Sequence, residues 1–389
     1  MRPDYRRIVL TSCFIQFVVT LSLTFVNAFL TLFIYEDLGV SDLSKAAVWS
    51  GLGTFLGGTC LAMSSPIWGW LTDRFGAKRM MVRVLITHSI LTGLFALAAD
   101  VQTVLILRTL RGLLGGTSVV AMAAIASIAR EKDLAGALGY QQSAQILGGM
   151  VGPVFGALAA PVIGFRACFA VSSISIACAI PLALSLAWPE AEGTKVPTPN
   201  FRGLASMRLE FGAMVLLRAS LTFIGPVLPV YLVSAGIGSE DLTLYTGIVL
   251  AISDLAFAVA VPLTSKSIPP ALMPALLTVQ GGAIMAQGLF VSLPCFLALR
   301  LAQVVAHSPA PAQLFTLASA KTSEKGTTIG LISSARFLGG AISPIIASTA
   351  NYWFGLAFSF GCMSSMSLGA AFLVWRLLEH NARDRPDGR

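Results

Sequence analysis

Charge is what this sequence has least of. Asp, Glu, Lys and Arg together make up 11% of the 389 residues, against roughly 25% in soluble domains, while 56% are hydrophobic. That shortage excludes a soluble globular domain and indicates a chain that crosses a membrane many times. Histidine is scarcer still. Of three residues, His88 and His307 lie inside apolar runs with no acidic or cysteine set nearby, so neither a metal site nor a hydrolytic triad is expected. The Gly-Lys-Ser/Thr loop that would cradle a nucleotide phosphate is missing, which leaves ATP-driven work unsupported. No enzyme chemistry and no cofactor is therefore expected. Cys13, Cys60, Cys168, Cys178, Cys295 and Cys362 all fall inside apolar runs without metal-like spacing, and read as small buried residues. A net charge of +8 could suit nucleic acid. The placement of the basic residues argues otherwise, because most sit in short loops between apolar runs.

Long apolar runs are what the sequence has instead. Twelve are expected to be helices: Ile8–Tyr35, Ala46–Leu71, Met80–Ala99, Val101–Ile128, Ala135–Ile163, Phe165–Trp188, Leu209–Ser234, Asp241–Leu263, Leu272–Ser292, Pro294–Ala320, Gly326–Ala350 and Trp353–Leu378. Each holds about 20 or more apolar-rich residues, enough to cross a bilayer core of about 30 Å. The polar stretch 189–206, with prolines and mixed charge, reads as a cytoplasmic linker between two halves, 1–188 and 207–380, and 381–389 as a charged tail. The run from Ile8 is too long for a signal-peptide core, and no small-residue cleavage site stands out, so it is read as a retained helix. Basic residues set the orientation. With the N-terminus inside, nineteen Lys and Arg fall in cytoplasmic segments and only Lys45 and Arg166 outside. Both termini are therefore expected in the cytoplasm.

The loop Gly69-Trp70-Leu71-Thr72-Asp73-Arg74-Phe75-Gly76-Ala77-Lys78-Arg79 joins the second and third runs. Gly69 permits close helix contact, and Gly76 a sharp reversal. Asp73 falls where the helix meets water and can accept from the free amides of a neighbouring helix. Arg74, Lys78 and Arg79 hold the turn on the cytoplasmic side. This loop resembles G-x-L-x-D-R-x-G-x-K of the major facilitator superfamily, with Ala77 where that family often has a basic residue. The chain also repeats itself. Leu138 to Pro153 aligns with Ile329 to Pro344 at seven of sixteen positions, and Arg108 corresponds to Arg300. Repeated six-helix halves around a midplane site are what the facilitator fold requires. The resemblance implies an all-α membrane protein of twelve transmembrane helices, in two six-helix pseudo-repeats, that works as a monomer in the cell's inner membrane.

Within the fifth run, Gly148, Gly152 and Gly156 repeat every four residues, so they share a face that lets another helix approach. Pro153 permits a kink. The pattern resembles the G-x3-G-P-x2-G motif of drug:proton antiporters. In the fourth run, Arg108, Arg111 and Gly112 resemble an R-x-x-Q-G element in which Arg111 replaces Gln. Embedded charges are Arg108, Arg111, Arg218, Arg300 and Arg336, against one mid-helix carboxylate, Asp254. Charges at such depth are costly unless they face water or a partner. Asp254 is the candidate proton carrier, since burial favours its neutral form and a nearby Arg its charged form. Arg218 is its expected partner. Asn27, Gln141, Gln142, Gln145 and the Gln303–His307 pair are read equally as cavity lining or interhelical glue. The resemblance implies proton-coupled efflux of small amphipathic compounds by alternating access. A transporter of small organic anions is the alternative, motivated by the Arg surplus. A non-transporting receptor or scaffold is the alternative of another class.

Overall fold

The computed structural model describes residues 3–128, 131–186, 188, 207–264, 267–319 and 325–383. The expected linker 189–206 and the tail from residue 384 lie outside them. Every regular element among the described residues is helical. The expected runs become α1 (Pro3–Asn27) and α2 (Leu30–Glu36), α3 (Leu43–Phe75), α4 (Ala77–Phe95), α5 (Val101–Leu114) and α6 (Thr117–Ile128), α7 (Glu131–Ile163) and α8 (Phe165–Ser185). There follow α9 (Arg208–Thr222) and α10 (Ile224–Ser234), α11 (Leu242–Thr264), a 3-10 turn Pro270–Leu272, α12 (Met273–Leu289), α13 (Leu293–His307) and α14 (Ala310–Ser319), α15 (Lys325–Phe354) and α16 (Leu356–Arg383). Among the described residues, nine helical stretches are long and apolar enough to cross a membrane.

Four runs expected to be continuous are broken: Ile8–Tyr35, Val101–Ile128, Leu209–Ser234 and Pro294–Ala320. They are the first, fourth, seventh and tenth, so the breaks recur every third run. Three have a local cause. After α5, Gly116 takes φ +109°, a conformation that any side chain would strain. After α9, Pro226 has no N–H to donate to the Thr222 carbonyl, and Pro309 and Pro311 do the same around the end of α13. Between α1 and α2, Phe29 leaves helical geometry at φ −110°, ψ 14°, and nothing in the local sequence marks the spot. Prolines elsewhere do not break the chain, since α7 runs through Pro153 and Pro161 and α15 through Pro344. The starts of α5 and α13 also correspond. Asp100 accepts from the Thr103 amide at 2.7 Å, and Ser292 from the Cys295 amide at 3.4 Å. Both are N-caps.

The chain forms two compact units. The first contains Met1–Ser41, Thr59–Thr198 and Glu240–Asp254. Here α1 packs along α7 and α8, and α4 along α8. The glycine face of α7 lies on the backbone of α1. A Cβ added at Gly148 would sit 2.7 Å from the Phe17 carbonyl oxygen, and one at Gly152 2.7 Å from that of Leu21. The Thr24 hydroxyl donates across this contact to the Gly148 carbonyl at 3.1 Å. The first half of α11 also packs on α7, where a Cβ at Gly247 would meet the Pro153 carbonyl at 2.8 Å. Phe29, Phe33, Phe95, Phe165 and Phe169 form a buried aromatic cluster, with Phe95 and Phe169 stacked at 5.3 Å. Beside it Arg166 pairs with Asp37 at 3.3 Å and donates to the Ala96 carbonyl.

The second unit contains Asp42–Gly58, Pro199–Ser239 and Leu255–Arg389. In it α9 packs against α15 and α16, and α12 against α16 and α13. Gly339, the repeat counterpart of Gly148, lies on the backbone of Val215. Thr222 and Ser343 share a hydroxyl bond of 3.1 Å across the same contact. The beginning of α3 packs on α15, where a Cβ at Gly51 would meet the Pro344 carbonyl at 2.8 Å. Phe223, Tyr231, Phe296 and Phe360 make the aromatic cluster of this unit.

Small residues set these approaches, so enlarging them should cost stability selectively. Gly152→Leu is expected to lower the melting temperature of the purified protein sharply. Gly149→Ala, one residue from Gly148 with nothing within 4 Å of an added Cβ, should stay within about 0.5 kcal/mol of the parent. Thermal unfolding of the two variants in the same detergent checks the contrast; equal melting temperatures would mean that the α1–α7 contact is looser than described.

Candidate functional site

The end of α3 and the start of α4 carry the expected turn motif. Gly76 adopts φ +86° between the two helices, as the sharp reversal requires. Arg74, Lys78 and Arg79 are exposed, and the side chain of Asp73 lies outside the described ones. Gly69 departs from expectation. A Cβ there would be 3.6 Å from Val119 Cγ1, an ordinary contact, so packing does not demand glycine. What fastens this end of α3 is instead Trp68, whose indole N–H donates to the Leu113 carbonyl at 2.8 Å. Arg83 of α4 lies over the Trp68 ring at 3.6 Å and donates to the Leu114 carbonyl at 2.6 Å. These two carbonyls belong to the end of α5, where the helix stops and its last acceptors have no helical donor. From sequence Arg83 counts only as one of the cytoplasmic-side cations, near the start of the third run; the structure makes it the cap of a broken helix.

Farther along α5, Arg108 and Arg111 lie about 10 and 15 Å from its start. Both are buried, at 9% and 8% exposure, so neither reaches back to a water interface. Arg111 donates to the Asn27 amide oxygen of α1 at 3.2 Å and lies 5.3 Å from the centre of the Phe95 ring. The Nε of Arg108 has no hydrogen-bond partner among the described residues. The Gly112 carbonyl accepts from Ser64 at 3.3 Å. His88 is buried against the α5–α6 break, close to where a Gly115 side chain would lie. On α7, Gln141 is buried and donates to Gln16 of α1 at 3.3 Å. Gln145 reaches Ser118 at 3.4 Å. The side chain of Gln142 lies outside the described ones.

The second unit places Arg300 in a denser polar network. Its Nη1 donates to Gln303 at 3.0 Å and its Nη2 to the Leu221 carbonyl at 3.4 Å. Gln303 donates to the Ser220 carbonyl at 3.1 Å and accepts from Gln287 at 3.0 Å. Gln280 donates to the Ser220 hydroxyl at 2.8 Å. All of these side chains are buried. His307 is buried too, its ring 5.8 Å from that of Phe257. Arg300 and Gln303 stand where the first half has Arg108 and Arg111, so the Arg and Gln expected of the helix-4 element occur together in the second repeat. Arg218 and Arg336 are half-buried, and Arg336 lies 5.6 Å from the Phe337 ring.

Asp254 differs from the expectation of a buried carboxylate. Its side chain is exposed, and Ser253, one position earlier, takes the packed side of α11 at 3% exposure. Consecutive helix positions are about 100° apart, so both cannot face the same neighbour. Among the described residues the buried carboxylate is Glu210, in the first turn of α9. Sequence reading passed over it because it sits at the end of its run, beside Arg208.

Residues 12–294 match the family described as Major Facilitator Superfamily. The chain is 26% identical over 246 residues to the multidrug resistance protein MdtG of Proteus mirabilis, covering 61% of each protein. It is 36% identical over 163 residues to MdtG of Escherichia coli K12, covering 42% of this chain and 40% of that one. The chain thus matches less than two thirds of the length of these curated relatives. Among solved structures, a bacterial homologue of the human lysosomal transporter Spinster superposes over 100% of both chains with a TM-score of 0.78 at 16% identity. The human organic anion transporter MFSD10 covers 96% of this chain at a TM-score of 0.68 and 19% identity. At these identities the superpositions show the fold.

The polar networks lead to a stability contrast. Gln303→Leu removes a side chain that serves Arg300, Gln287 and the Ser220 carbonyl, and leaves buried polar groups unmatched. Each such group costs about 1–3 kcal/mol. Arg83→Gln removes a charged hydrogen bond and a ring contact, about 2 kcal/mol together. Both are expected to lower the unfolding midpoint more than Arg336→Gln, in a common chemical denaturation series.

Proposed function

Since this chain belongs to the major facilitator superfamily, and is a multi-pass membrane transporter rather than an enzyme, we propose that it exports small amphipathic compounds in exchange for protons. The proposal takes it as twelve transmembrane helices with both termini in the cytoplasm and two six-helix halves alternating access to a central site. The observation that carries the drug-antiport reading is the glycine face of α7. Gly148, Gly152 and Gly156 press on the backbone of α1 with Pro153 among them, the pattern expected of antiporters, and the named relatives are multidrug resistance proteins. In this reading the Asp73 turn, with Arg74, Lys78 and Arg79, latches the cytoplasmic side. Asn27, Arg108, Arg111 and Gln145 border the substrate path. Asp254 keeps the role of proton carrier in this reading on its mid-helix position alone, since its exposed side chain removes the burial expected to favour its neutral form.

A second reading, transport of a small organic anion, rests on Arg108 and Arg111. They lie one helical turn apart, both are buried, and Arg111 donates to a neutral amide. Two cations held that way suit a negatively charged ligand. The solved structure of MFSD10, named as an organic anion transporter, shares the fold.

Substrate-dependent proton movement in proteoliposomes separates these readings. Proton release on adding a lipophilic cation is expected; a response confined to carboxylates would establish the anion reading. Silence with every ligand would leave a receptor or scaffold. Asp254→Asn is expected to keep substrate binding and downhill exchange while losing pH-driven accumulation in inverted vesicles, with thermal stability retained. Intact accumulation would place coupling elsewhere. Asp73→Asn should lower transport at equal membrane abundance, and full activity in that variant would sink the latch.

A further inference from the structure

A groove of about 510 Å³ runs along the first turns of α4 where that helix packs on the end of α8. Lys78, Arg79 and Arg83 line it together with Val82, Ile86, Thr87 and Leu184. The distance from residue 78 to residue 86 along the helix is about 12 Å. That is enough to hold a headgroup and the first part of an acyl chain.

The charge here is unusual for a helix start. The first turn of α4 has no acidic residue, although an N-terminus favours negative charge through its aligned peptide dipoles. Lys78 and Arg79 are both exposed, so the dipole and two side-chain cations add in one place. Arg83 is committed to the Leu114 carbonyl and the Trp68 ring, and adds its field without competing for a ligand. Next to this positive end, Ile86 and Leu184 are 42% and 49% exposed. In a membrane protein such a surface faces acyl chains.

We propose that this groove holds an anionic phospholipid, its phosphate against Lys78 and Arg79 and one chain along Val82, Ile86 and Leu184. A free phosphate would match the cations and leave the apolar walls uncovered, and a zwitterionic lipid would match the walls while bringing its own cation to a basic site. The occupied groove would tie lipid composition to the α3–α4 turn, because Lys78 and Arg79 belong to both.

The test uses the full chain purified in detergent. Bound dioleoylphosphatidylglycerol and dioleoylphosphatidylcholine are compared by native mass spectrometry and by the melting temperature each lipid confers. The anionic lipid is expected to bind more tightly and to raise the melting temperature further. Each basic charge near an anionic headgroup contributes about fivefold. Lys78→Gln and Arg79→Gln should each weaken the preference by about that factor, and the double variant by about 25-fold. Arg208→Gln, an exposed cation at the start of α9, should leave the preference unchanged. Ile86→Gln with Leu184→Gln should weaken both lipids. Glycerol phosphate should neither bind nor compete. Equal binding of the two lipids, an unchanged preference in the double variant, or full competition by glycerol phosphate would overturn the proposal.

Discussion

A backbone carbonyl inside a membrane has no water to bond, so every helix that stops there needs a donor from somewhere else. This chain stops four of its apolar runs part-way, and much of its polar chemistry follows from that. Arg83 and Trp68 supply donors to the last carbonyls of α5. Arg300 and Gln303 supply them to Leu221 and Ser220 near the end of α9. Arg111 bonds the side-chain amide oxygen, not the backbone carbonyl, of Asn27, the last residue of α1. Residues that look like a reservoir of substrate-binding charge are in good part holding interrupted helices together.

The two repeats meet this constraint with different side chains. Glycines at 148 and 339 and threonines at 24 and 222 keep equivalent places at the helix crossings. The donors above them diverge. The first half uses Arg111 against an amide, and the second an arginine with three glutamines and a serine. Backbone approach tolerates little substitution, because a single Cβ would collide. A hydrogen-bond donor can be exchanged for another of similar reach. That is why the glycine pattern survives as visible sequence repetition and the polar pattern does not.

Much of the architecture was legible because it rests on local or periodic signals. Apolar runs gave the helices, Gly76 the reversal, and the spacing of Gly148, Gly152 and Gly156 a contact face that the structure places on α1. The breaks were harder. Gly115-Gly116 and Pro309 were visible signals that the length of the apolar runs outweighed, and Phe29 carried none. The role of Arg83 was not legible because position along the chain does not reveal that a side chain reaches a carbonyl 31 residues later. The exposure of Asp254 and the burial of Glu210 depend on helix rotation, which an all-round apolar helix does not encode in its pattern.

The buried arginines also bear on how the protein can be made. A lone Arg at the centre of a membrane helix costs about 2.5–3.5 kcal/mol on insertion, and α5 carries two. The described partners of Arg111, Asn27 and Phe95, both precede α5 in the chain. Arg300 and Gln303 likewise bond to groups on α9 and α12, which are synthesised before α13. Chains emerge from the ribosome N-terminus first, so each charged helix enters the bilayer after the surfaces that will receive it. Moving α5 or α13 ahead of those partners by circular permutation would leave the same contacts in the finished fold but deny them to the nascent helix.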